Sequence, residues 1–308
     1  MTAPYSKNNI IAAFMREESR NILLPSTLQL LRFHFSFFLM PVYWFALSQL
    51  VYFNIMHTII VFAVLHLLVY PASNGYNSFM DRDTESIGGI KSPMQPTRQL
   101  YHATIVLDSL AVLLSTFVSM YFALGILLYI MVSKAYSYRG VRLKKHPLIA
   151  YITVMIFQGA VTFALVYHGC SADKTWNIPV IPMIVASLLI GGFYPLTQIY
   201  QHDADIKDGV KTISYLLGYR GTFVFCGIIY TLAFLLLAYY FFYTLQATAF
   251  YIFTVGMSPV IIYFFIWAKK AWNNYQYADF AHTMRMNMIA SVCTNISFIL
   301  ILIKNYFE

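Results

Sequence analysis

The chain has 308 residues, of which 59% are hydrophobic and only 10% are charged, whereas an average globular protein has about 25% charged residues. Its mean hydropathy of +0.64 leaves too little polar surface to cover a water-soluble particle, so a soluble enzyme is excluded. The formal charge of +8 does not indicate nucleic-acid binding, because the basic residues are distributed as in a membrane protein. Three cysteines without ligand or disulfide spacing exclude a disulfide framework and a cysteine zinc site.

Nine apolar runs, each long enough to cross a bilayer of about 30 Å, occupy nearly the whole chain after residue 30. They lack the alternation of barrel strands, so we predict helices. The predicted spans are 30–50, 54–73, 101–119, 121–138, 147–167, 178–200, 220–243, 247–268 and 286–304. We therefore expect an all-α polytopic membrane protein, with a nine-helix domain over residues 30–308, a cytoplasmic-side polar cavity, and an interfacial segment over residues 1–29.

Basic residues fall almost entirely on one side of this predicted topology. All 20 Lys and Arg except Lys174 and Lys304 lie at the N-terminus or in connections that follow even-numbered spans. The positive-inside rule makes that side cytoplasmic. The sequence therefore predicts a cytoplasmic N-terminus, a C-terminus on the opposite side, and long cytoplasmic loops that carry the function.

Two of these cytoplasmic loops contain six of the acidic residues. They are Asp81, Asp83, Glu85, Asp203, Asp205 and Asp208. Asn77, Asp81 and Glu85 recur every four positions, and Gln201 and Asp205 repeat the same step. Four-residue spacing places side chains on one helix face, so extensions of spans 2 and 6 would direct two oxygen-bearing stripes into a shared cavity.

Oxygen donors without interleaved His or Cys suit Mg²⁺, which binds one or two carboxylates together with substrate phosphates. The predicted metal ligands are Asn77, Asp81, Glu85, Gln201, Asp203 and Asp205. Basic residues beside the acids could clamp a diphosphate. They are Lys91, Arg98, Arg142, Lys144, Lys207 and Lys211. The alternatives are solvated loop chemistry for the acids and topology determination for the basic residues.

On these residues the chain resembles the UbiA superfamily of intramembrane prenyltransferases. Members of that superfamily carry the motifs N-D-x-x-D-x-x-x-D and D-x-x-x-D on cytoplasmic loops of a nine-helix bundle. The resemblance includes Arg32 and Pro41 in the first span, the first motif at residues 77–85, YSYRGVRLKKHP from Tyr136, and DIKDGVKTISYLLG from Asp205.

The sequence departs from this pattern at three positions. Ser78 stands where many members have Asp, Glu85 replaces the last Asp of the first motif, and Gln201 replaces the first Asp of the second. The four-residue spacing survives but the negative charge falls, so Asp205 and its neighbouring acids would have to hold a second ion. An inactive family member is one alternative, although the retained motif residues favour activity.

The resemblance implies Mg²⁺-dependent transfer of a polyprenyl group from an allylic prenyl diphosphate to a small, aromatic acceptor in quinone- or pigment-type lipid biosynthesis. The implied catalytic residues are Asn77, Asp81 and Asp205. Aromatic side chains near the motifs would shield an allylic cation. Candidates are Tyr76, Phe79, Tyr136, Tyr194 and Tyr200. The expected partners are the two substrates and membrane lipid, with no nucleic acid and no obligate protein partner.

Two further residues have open interpretations. Asp108 is an acid inside a predicted span, where it would either position an acceptor hydroxyl or bond to a neighbouring helix, for example through Asn287. His202 is a candidate base or phosphate donor, or is simply solvated. The competing class is a transporter or lipid-binding protein, which would carry polar or broken-helix positions near mid-membrane. Ionisable residues here crowd one face, which favours an interfacial enzyme.

Overall fold

The structure of the chain, a computed structural model, describes residues 23–307. Its helices are α1 (Pro25–Ser48), α2 (Ile55–Asp81), α3 (Arg98–Thr116), α4 (Met120–Ser137), α5 (Pro147–Cys170), α6 (Val180–Gln198), α7 (His202–Lys207), α8 (Ile213–Tyr243), α9 (Ala247–Asn273) and α10 (Phe280–Phe307). Eight helices in this range are long and apolar enough to cross a membrane. Apart from two isolated bridges, the same range contains no strand. The predicted all-α membrane architecture is confirmed.

The predicted number of nine spanning helices is not confirmed. The 19-residue helix α3 lies at the third predicted span, but it is not among the eight apolar helices of the described residues. Its sequence includes Arg98, His102 and Asp108, which lower its hydrophobicity. The predicted interfacial segment covers residues 1–29. Residues 1–22 lie outside the described residues, and residues 25–29 belong to α1.

Helix α1 is interrupted at Arg32, which has a left-handed conformation with φ 49°. A 3₁₀ turn (Phe33–Phe38) follows, and the α-helix resumes at Met40–Ser48 with Pro41 in its first turn. Proline favours a helix start because it has no N–H to donate. The interruption redirects the Arg32 side chain into the bundle, where it is buried.

Helices α2 and α5 contain π-helical segments, Val64–Val69 and Met155–Val161. In α2, Pro71 follows the segment and removes one backbone hydrogen bond, which accounts for the irregular turn. In α5, Gly159 approaches α6 so closely that a Cβ would lie 2.4 Å from the Ser187 Cα. The Ser187 hydroxyl accepts a hydrogen bond from the backbone N–H of Ala160 at 3.0 Å. This contact fixes α5 against α6.

The core of the bundle is aromatic and aliphatic, whereas its outer faces are apolar and exposed. Phe45 of α1 stacks on Phe298 of α10 with ring centroids 4.3 Å apart. Trp267 of α9 is fully buried and donates to the carbonyl of Tyr277 at 2.7 Å. Large apolar side chains such as Leu235 point outward. Exposed apolar faces of this extent are suited to contact with lipid.

Candidate active site

A polar cavity of about 240 Å³ lies among α1, α2, α4, α5 and α6, beside the loops that follow α2 and α6. Four of its lining residues are carboxylates: Asp81, Asp83, Asp205 and Asp208. Arg32 and Lys144 are cationic residues of the same lining. The two acidic loops of the sequence therefore face one shared space.

The first acidic motif lies at the end of α2. Asn77 and Asp81 are one turn apart on the same face, and Asn77 Nδ2 donates to Asp81 Oδ2 at 2.8 Å. The same amide donates to Ser137 Oγ on α4 at 3.0 Å. Both contacts orient the Asp81 carboxylate. The helix ends at Asp81 because Arg82 adopts a left-handed conformation with φ 55°.

The expected helical stripe does not extend to Glu85, because Glu85 follows the end of α2. Its side chain is half exposed, and its Oε1 lies 2.9 Å from Lys207 Nζ. Asp83 instead lines the cavity. Because of the left-handed turn at Arg82, the cavity is lined by Asp83 and not by Glu85.

The second acidic motif is not a continuation of α6, as the sequence led us to expect. Helix α6 ends at Gln198, and the separate helix α7 begins at His202, with Gln201 in a non-helical conformation between them. The turn is still closed, since the Asp205 N–H donates to the carbonyl of Gln201 at 2.8 Å. Gln201 and Asp205 both line the cavity, whereas Asp203 is exposed.

Basic side chains reach these carboxylates from the loop that follows α4. Lys144 Nζ lies 2.5 Å from Asp81 Oδ2. Arg142 forms an ion pair with Asp208 and lies 4.0 Å from Asp81 Oδ1. Both cations are largely buried, so this loop forms a positively charged wall against the two acidic loops.

Other basic residues proposed from the sequence lie elsewhere in the described part of the chain. The cavity lining includes none of Lys91, Arg98, Lys207 and Lys211, and it also lacks Arg142. Lys207 is paired with Glu85 on the surface, and Arg98 begins α3. Their positions agree with topology determination, the alternative that the sequence left open for basic loops.

His202 is buried and is not solvated. Its Nε2 lies 2.9 Å from Ser214 Oγ, and its ring stacks on Tyr219 with centroids 4.9 Å apart. Burial lowers the pKa of His202. These contacts anchor α7 to the start of α8, and His202 is not among the residues that line the cavity.

Asp108 bonds to a neighbouring helix, but through a partner that the sequence did not suggest. Lys134 Nζ of α4 lies 2.6 Å from Asp108 Oδ2, and the same ammonium lies 4.2 Å from the centroid of the Tyr76 ring. Asn287 is fully buried, and its Nδ2 contacts Met284. The ion pair therefore joins α3 to α4, beside the polar cavity and outside its lining.

Two of the acids in the cavity have raised pKa values. Burial raises the pKa of Asp205 to about 7; Lys144 opposes this shift, and the charges of Asp83 and Asp81 add to it. Burial and the charge of Asp81 raise the pKa of Asp83 to about 6. Crowded, desolvated carboxylates of this kind gain stability from a cation.

The donor set fits Mg²⁺ only in combination with a further ligand. Among residues 23–307, no three His, Cys, Asp or Glu side chains lie close enough to form a complete metal site. However, Asp81 Oδ1 and Asp205 Oδ2 are buried and have no hydrogen-bond partner within that range. Mg²⁺ commonly binds one or two carboxylates and completes its coordination with water and phosphate oxygens. Unpaired carboxylate oxygens across a cavity match this mode.

The match of the sequence to a known family shows which family the chain belongs to. The sequence model of the UbiA prenyltransferase family matches residues 36–289. The chain belongs to the UbiA prenyltransferase family. It is accordingly an integral, multi-pass membrane protein of the prenyltransferase class. A comparison with curated proteins gave no match.

Solved structures of UbiA homologues share the fold. A UbiA homolog from Archaeoglobus fulgidus bound to GPP and Mg²⁺ has a TM-score of 0.64 at 19% identity, covering 90% of this chain and 99% of that chain. The apo structure of a UbiA homolog from Aeropyrum pernix K1 has a TM-score of 0.63 at 19% identity, covering 87% and 97%. A structure described as digeranylgeranylglyceryl phosphate synthase has a TM-score of 0.57 at 16% identity, covering 92% and 98%.

Several polar residues of this UbiA-family cavity were missed from the sequence. They are Ser73, Asn74, Ser133, Gln158 and Gln198. Ser73 and Ser133 join α2 to α4 through a hydrogen bond of 2.5 Å. A signal was available, because uncharged polar residues within apolar spans mark an inward helix face. In the same lining, the hydroxyls of Tyr136 and Tyr194, both proposed from the sequence, are hydrogen-bonded to each other.

Apolar cavities lie beside the polar one, on the other side of α1 and α6. One, of about 240 Å³, lies among α6, α8, α9 and α10, and a smaller one extends it toward α1. They share Leu189, Tyr230, Met257 and Val260. Phe35 of the polar lining and Phe38 of the apolar lining contact edge to face, with ring centroids 5.2 Å apart. This phenylalanine pair lies where the linings of the polar and apolar cavities meet.

Proposed function

We propose that this UbiA-family protein transfers a polyprenyl group from an allylic prenyl diphosphate to a small, aromatic acceptor, with Mg²⁺ as cofactor. The observation that carries the proposal is the meeting of Asp81, Asp205 and Lys144 at one buried cavity. Relatives support the donor, since the Archaeoglobus fulgidus homolog was solved with GPP and Mg²⁺ and with DMAPP and Mg²⁺.

The charge balance of the cavity explains why a metal is needed. Four carboxylates and two cationic side chains line it, a formal surplus of two negative charges (four minus two). A diphosphate would be repelled by this lining. Mg²⁺ bound by one or two of the carboxylates Asp81, Asp83 and Asp205 would supply the positive charge that binds the diphosphate and stabilises it as it departs.

The residues of the chain have separate roles in this reaction. Asn77 fixes the Asp81 carboxylate through its 2.8 Å hydrogen bond. Lys144, now paired with Asp81, can donate to a diphosphate oxygen as the allylic C–O bond breaks and the electron pair leaves with the diphosphate. The faces of Tyr136 and Tyr194 would shield the allylic cation until the acceptor attacks and loses its proton.

The prenyl chain would occupy the apolar cavities among α6, α8, α9 and α10. Their lining is almost entirely aliphatic and aromatic, so an isoprenoid tail gains the favourable transfer from water of each buried CH₂. The proposed orientation places the polar cavity and its loops on the cytoplasmic side, which rests on the asymmetry of basic residues.

An inactive family member is the second candidate, favoured by the charge lost at Ser78 and Gln201 and by the longer side chain of Glu85. The structure gives two of these residues other contacts: Glu85 pairs with Lys207, and Gln201 Nε2 donates to the carbonyl of Ser86 at 3.2 Å. Both contacts hold the acidic loops together. Asp83 and Asp205 remain in the cavity, which favours the active enzyme.

The test is diphosphate release by purified protein in detergent, with allylic diphosphates of several lengths, with and without Mg²⁺. Phenols, naphthols and porphyrins are supplied as acceptors. We expect release that requires Mg²⁺ and falls at least about 100-fold in Asp81→Asn and Asp205→Asn. Asp173→Asn, on the exposed loop between α5 and α6, is the control. Metal-independent release, or unchanged turnover in both cavity variants, would show that the assignment is wrong.

A further inference from the structure

An open apolar groove of about 630 Å³ runs along the outer surface of the bundle between α8 and α9. It shares no lining residue with the polar cavity. On α8 its lining extends from Phe223 to Leu235, which are about 18 Å apart along the helix axis. The hydrocarbon of one leaflet is about 15 Å thick, half of the bilayer core. The α8–α9 groove therefore has the length of one lipid chain in a single leaflet.

The groove is formed by one stripe of apolar side chains from each helix. Within each stripe the residues recur every three or four positions, which places them on one helix face. The members are Val224, Ile228, Leu232 and Leu235 on α8, and Phe265, Ala268 and Trp272 on α9. Large side chains at its centre are open to the surroundings, since Ile228 is 62% exposed and Phe265 is 66% exposed. The groove thus faces the lipid, not the protein interior.

Two cations continue these stripes past one end of the groove. Arg220 precedes Val224 by one helical step of four residues, and Lys269 follows Phe265 by the same step. Arg220 Nε and Nη2 donate to the carbonyl of Trp272 at 3.2 and 3.0 Å, and the guanidinium lies 5.3 Å from the centroid of that indole. The groove is therefore cationic and aromatic at one end and apolar along the rest of its length.

Neither cation has a protein anion. Among residues 23–307, no carboxylate lies within 4.0 Å of Arg220 or Lys269, although Lys207 pairs with Glu85 on the same side of the bundle. Within that range Arg220 Nη1 and Lys269 Nζ also have no hydrogen-bond partner. Both side chains are exposed. Two positive charges and their donors are therefore available to an external anion.

The cationic end of the groove lies at the depth of lipid headgroups. Arg220 is in the second turn of α8, which begins at Ile213, and Lys269 is in the last turns of α9, which ends at Asn273. Tryptophan is favoured at the membrane interface, and long cationic side chains near helix ends extend toward it. Because α8 follows α7, this end is on the side of the acidic loops. Basic pockets between spanning helices on the cytoplasmic side suit anionic headgroups.

We propose that the α8–α9 groove binds one anionic phospholipid of the leaflet on the side of the acidic loops. Arg220 and Lys269 bind the phosphate, and one acyl chain lies along the apolar stripes. An anionic lipid fits better than a zwitterionic one, because a zwitterionic headgroup places a cation of its own beside these two. The proposal does not rest on the proposed reaction.

The acyl chain in this groove would also cover a wall of the inner apolar cavity. Four residues line both spaces, so the groove and the cavity are separated only by their side chains and backbone. They are Gly227, Thr231, Phe264 and Phe265. A lipid bound outside would therefore close the inner cavity to the bilayer on this side.

The experiment measures quenching of Trp272 fluorescence by lipids with brominated acyl chains. The full chain is reconstituted into vesicles in which phosphatidylcholine is replaced stepwise by phosphatidylglycerol, with only one of the two lipids brominated in each series. Subtraction of the Trp272→Phe signal isolates Trp272 from the other tryptophans. Each basic residue near the surface contributes about fivefold to the binding of anionic lipid, so we expect phosphatidylglycerol to be preferred at this site by at least about tenfold.

Arg220→Gln and Lys269→Gln should each lower the preference for phosphatidylglycerol about fivefold, and the double variant should remove it. Lys269→Gln keeps the proposal testable if Arg220→Gln disturbs the contact with Trp272. Lys145→Gln is the matched control, an exposed lysine on the same side but away from the groove, and should change the preference less than about twofold. Ala268→Phe fills the groove and should reduce quenching by both lipids.

Equal quenching by the two lipids in the unaltered protein would overturn the proposal. Equal losses in Lys145→Gln and Lys269→Gln would also overturn it, because the basic residues would then act only through the general surface charge. Undiminished quenching in Ala268→Phe would show that no acyl chain lies in the groove. Displacement of brominated phosphatidylglycerol by farnesyl diphosphate would assign the groove to the prenyl donor instead. Failure of the proposed function has a different signature, the absence of Mg²⁺-dependent diphosphate release, and leaves these lipid measurements unaffected.

Discussion

Replacing Lys144 by Gln should have opposite effects on turnover and on metal affinity. Lys144 Nζ lies 2.5 Å from Asp81 Oδ2, and the two side chains are only 12% and 4% exposed. In the free protein the ammonium therefore competes with a metal for Asp81. In the reaction it would donate to the departing diphosphate. A single substitution separates these two roles.

The expected sizes follow from charge and distance. Two unit charges about 4 Å apart interact by about 4 kcal/mol at an effective dielectric constant of about 20. Part of this repulsion is relieved when Lys144 is removed, so the Kd for Mg²⁺ should fall about tenfold or more. Loss of a donor to developing negative charge typically lowers kcat by about 10²–10³. Lys144→Gln should thus bind Mg²⁺ more tightly and turn over more slowly.

The measurement is a titration of Mg²⁺ against diphosphate release, giving kcat and the apparent metal affinity from one series. Lys145→Gln is the matched control, since Lys145 is the exposed neighbour in the same 3₁₀ turn (Leu143–Lys145). It should leave both quantities within about twofold, the range usual for an exposed charge. Weaker Mg²⁺ binding in Lys144→Gln would refute the reasoning, because it would mean that the ammonium supports the metal.

Three further predictions concern the acids, the apolar cavity and the intramembrane ion pair. The folded pKa values of Asp83 and Asp205 lie above the ordinary 3.8. The folded, metal-free protein therefore retains protons between about pH 4 and 7 that the unfolded chain has lost, and its stability should decrease as pH rises through that window. Melting curves with EDTA or Mg²⁺ test this, since Mg²⁺ should reverse the decrease. A Cβ at Gly227 would lie 3.8 Å from the nearest side chain, so Gly227→Leu should fold, narrow the apolar cavity and favour shorter donors in kcat/KM comparisons. Asp108→Asn and Lys134→Met should each destabilise the protein by about 1–3 kcal/mol, and the double variant by less than either; urea unfolding of the four proteins in detergent measures this.

Much of the helical bundle could be predicted because few backbone conformations can satisfy all of their hydrogen bonds within the hydrocarbon core of a membrane. A helix occupies each predicted span in the described chain, and most ends differ by only a few residues. The largest difference at the start of a helix is at α8, which begins at Ile213 where the prediction placed residue 220. The reason is a kink at Gly218, whose φ of 66° and ψ of 174° are accessible to glycine. Hydropathy does not report such a turn, so the polar first turns of α8 appeared to be loop.

The acidic site was predictable in part, for a similar reason. Four-residue spacing correctly paired Asn77 with Asp81 on α2, because that helix continues to Asp81. It failed for Glu85, since the left-handed conformation of Arg82 has no signal in residue spacing. Arg32 was noticed only through the family resemblance. Its burial in the cavity lining depends on the interruption of α1, which periodicity does not reveal.

Two of the departures from the family motif, Glu85 and Gln201, form contacts between the two acidic loops. Glu85 pairs with Lys207, and Gln201 donates to the carbonyl of Ser86. Each contact joins the loop after α2 to the loop after α6. A carboxylate in place of the Gln201 amide would add repulsion to a cavity in which Asp83 and Asp205 already have raised pKa values. The charge lost at Gln201 therefore coincides with a cross-link between the halves of the motif, and this contact and the Glu85–Lys207 pair together hold the two acidic loops at one cavity.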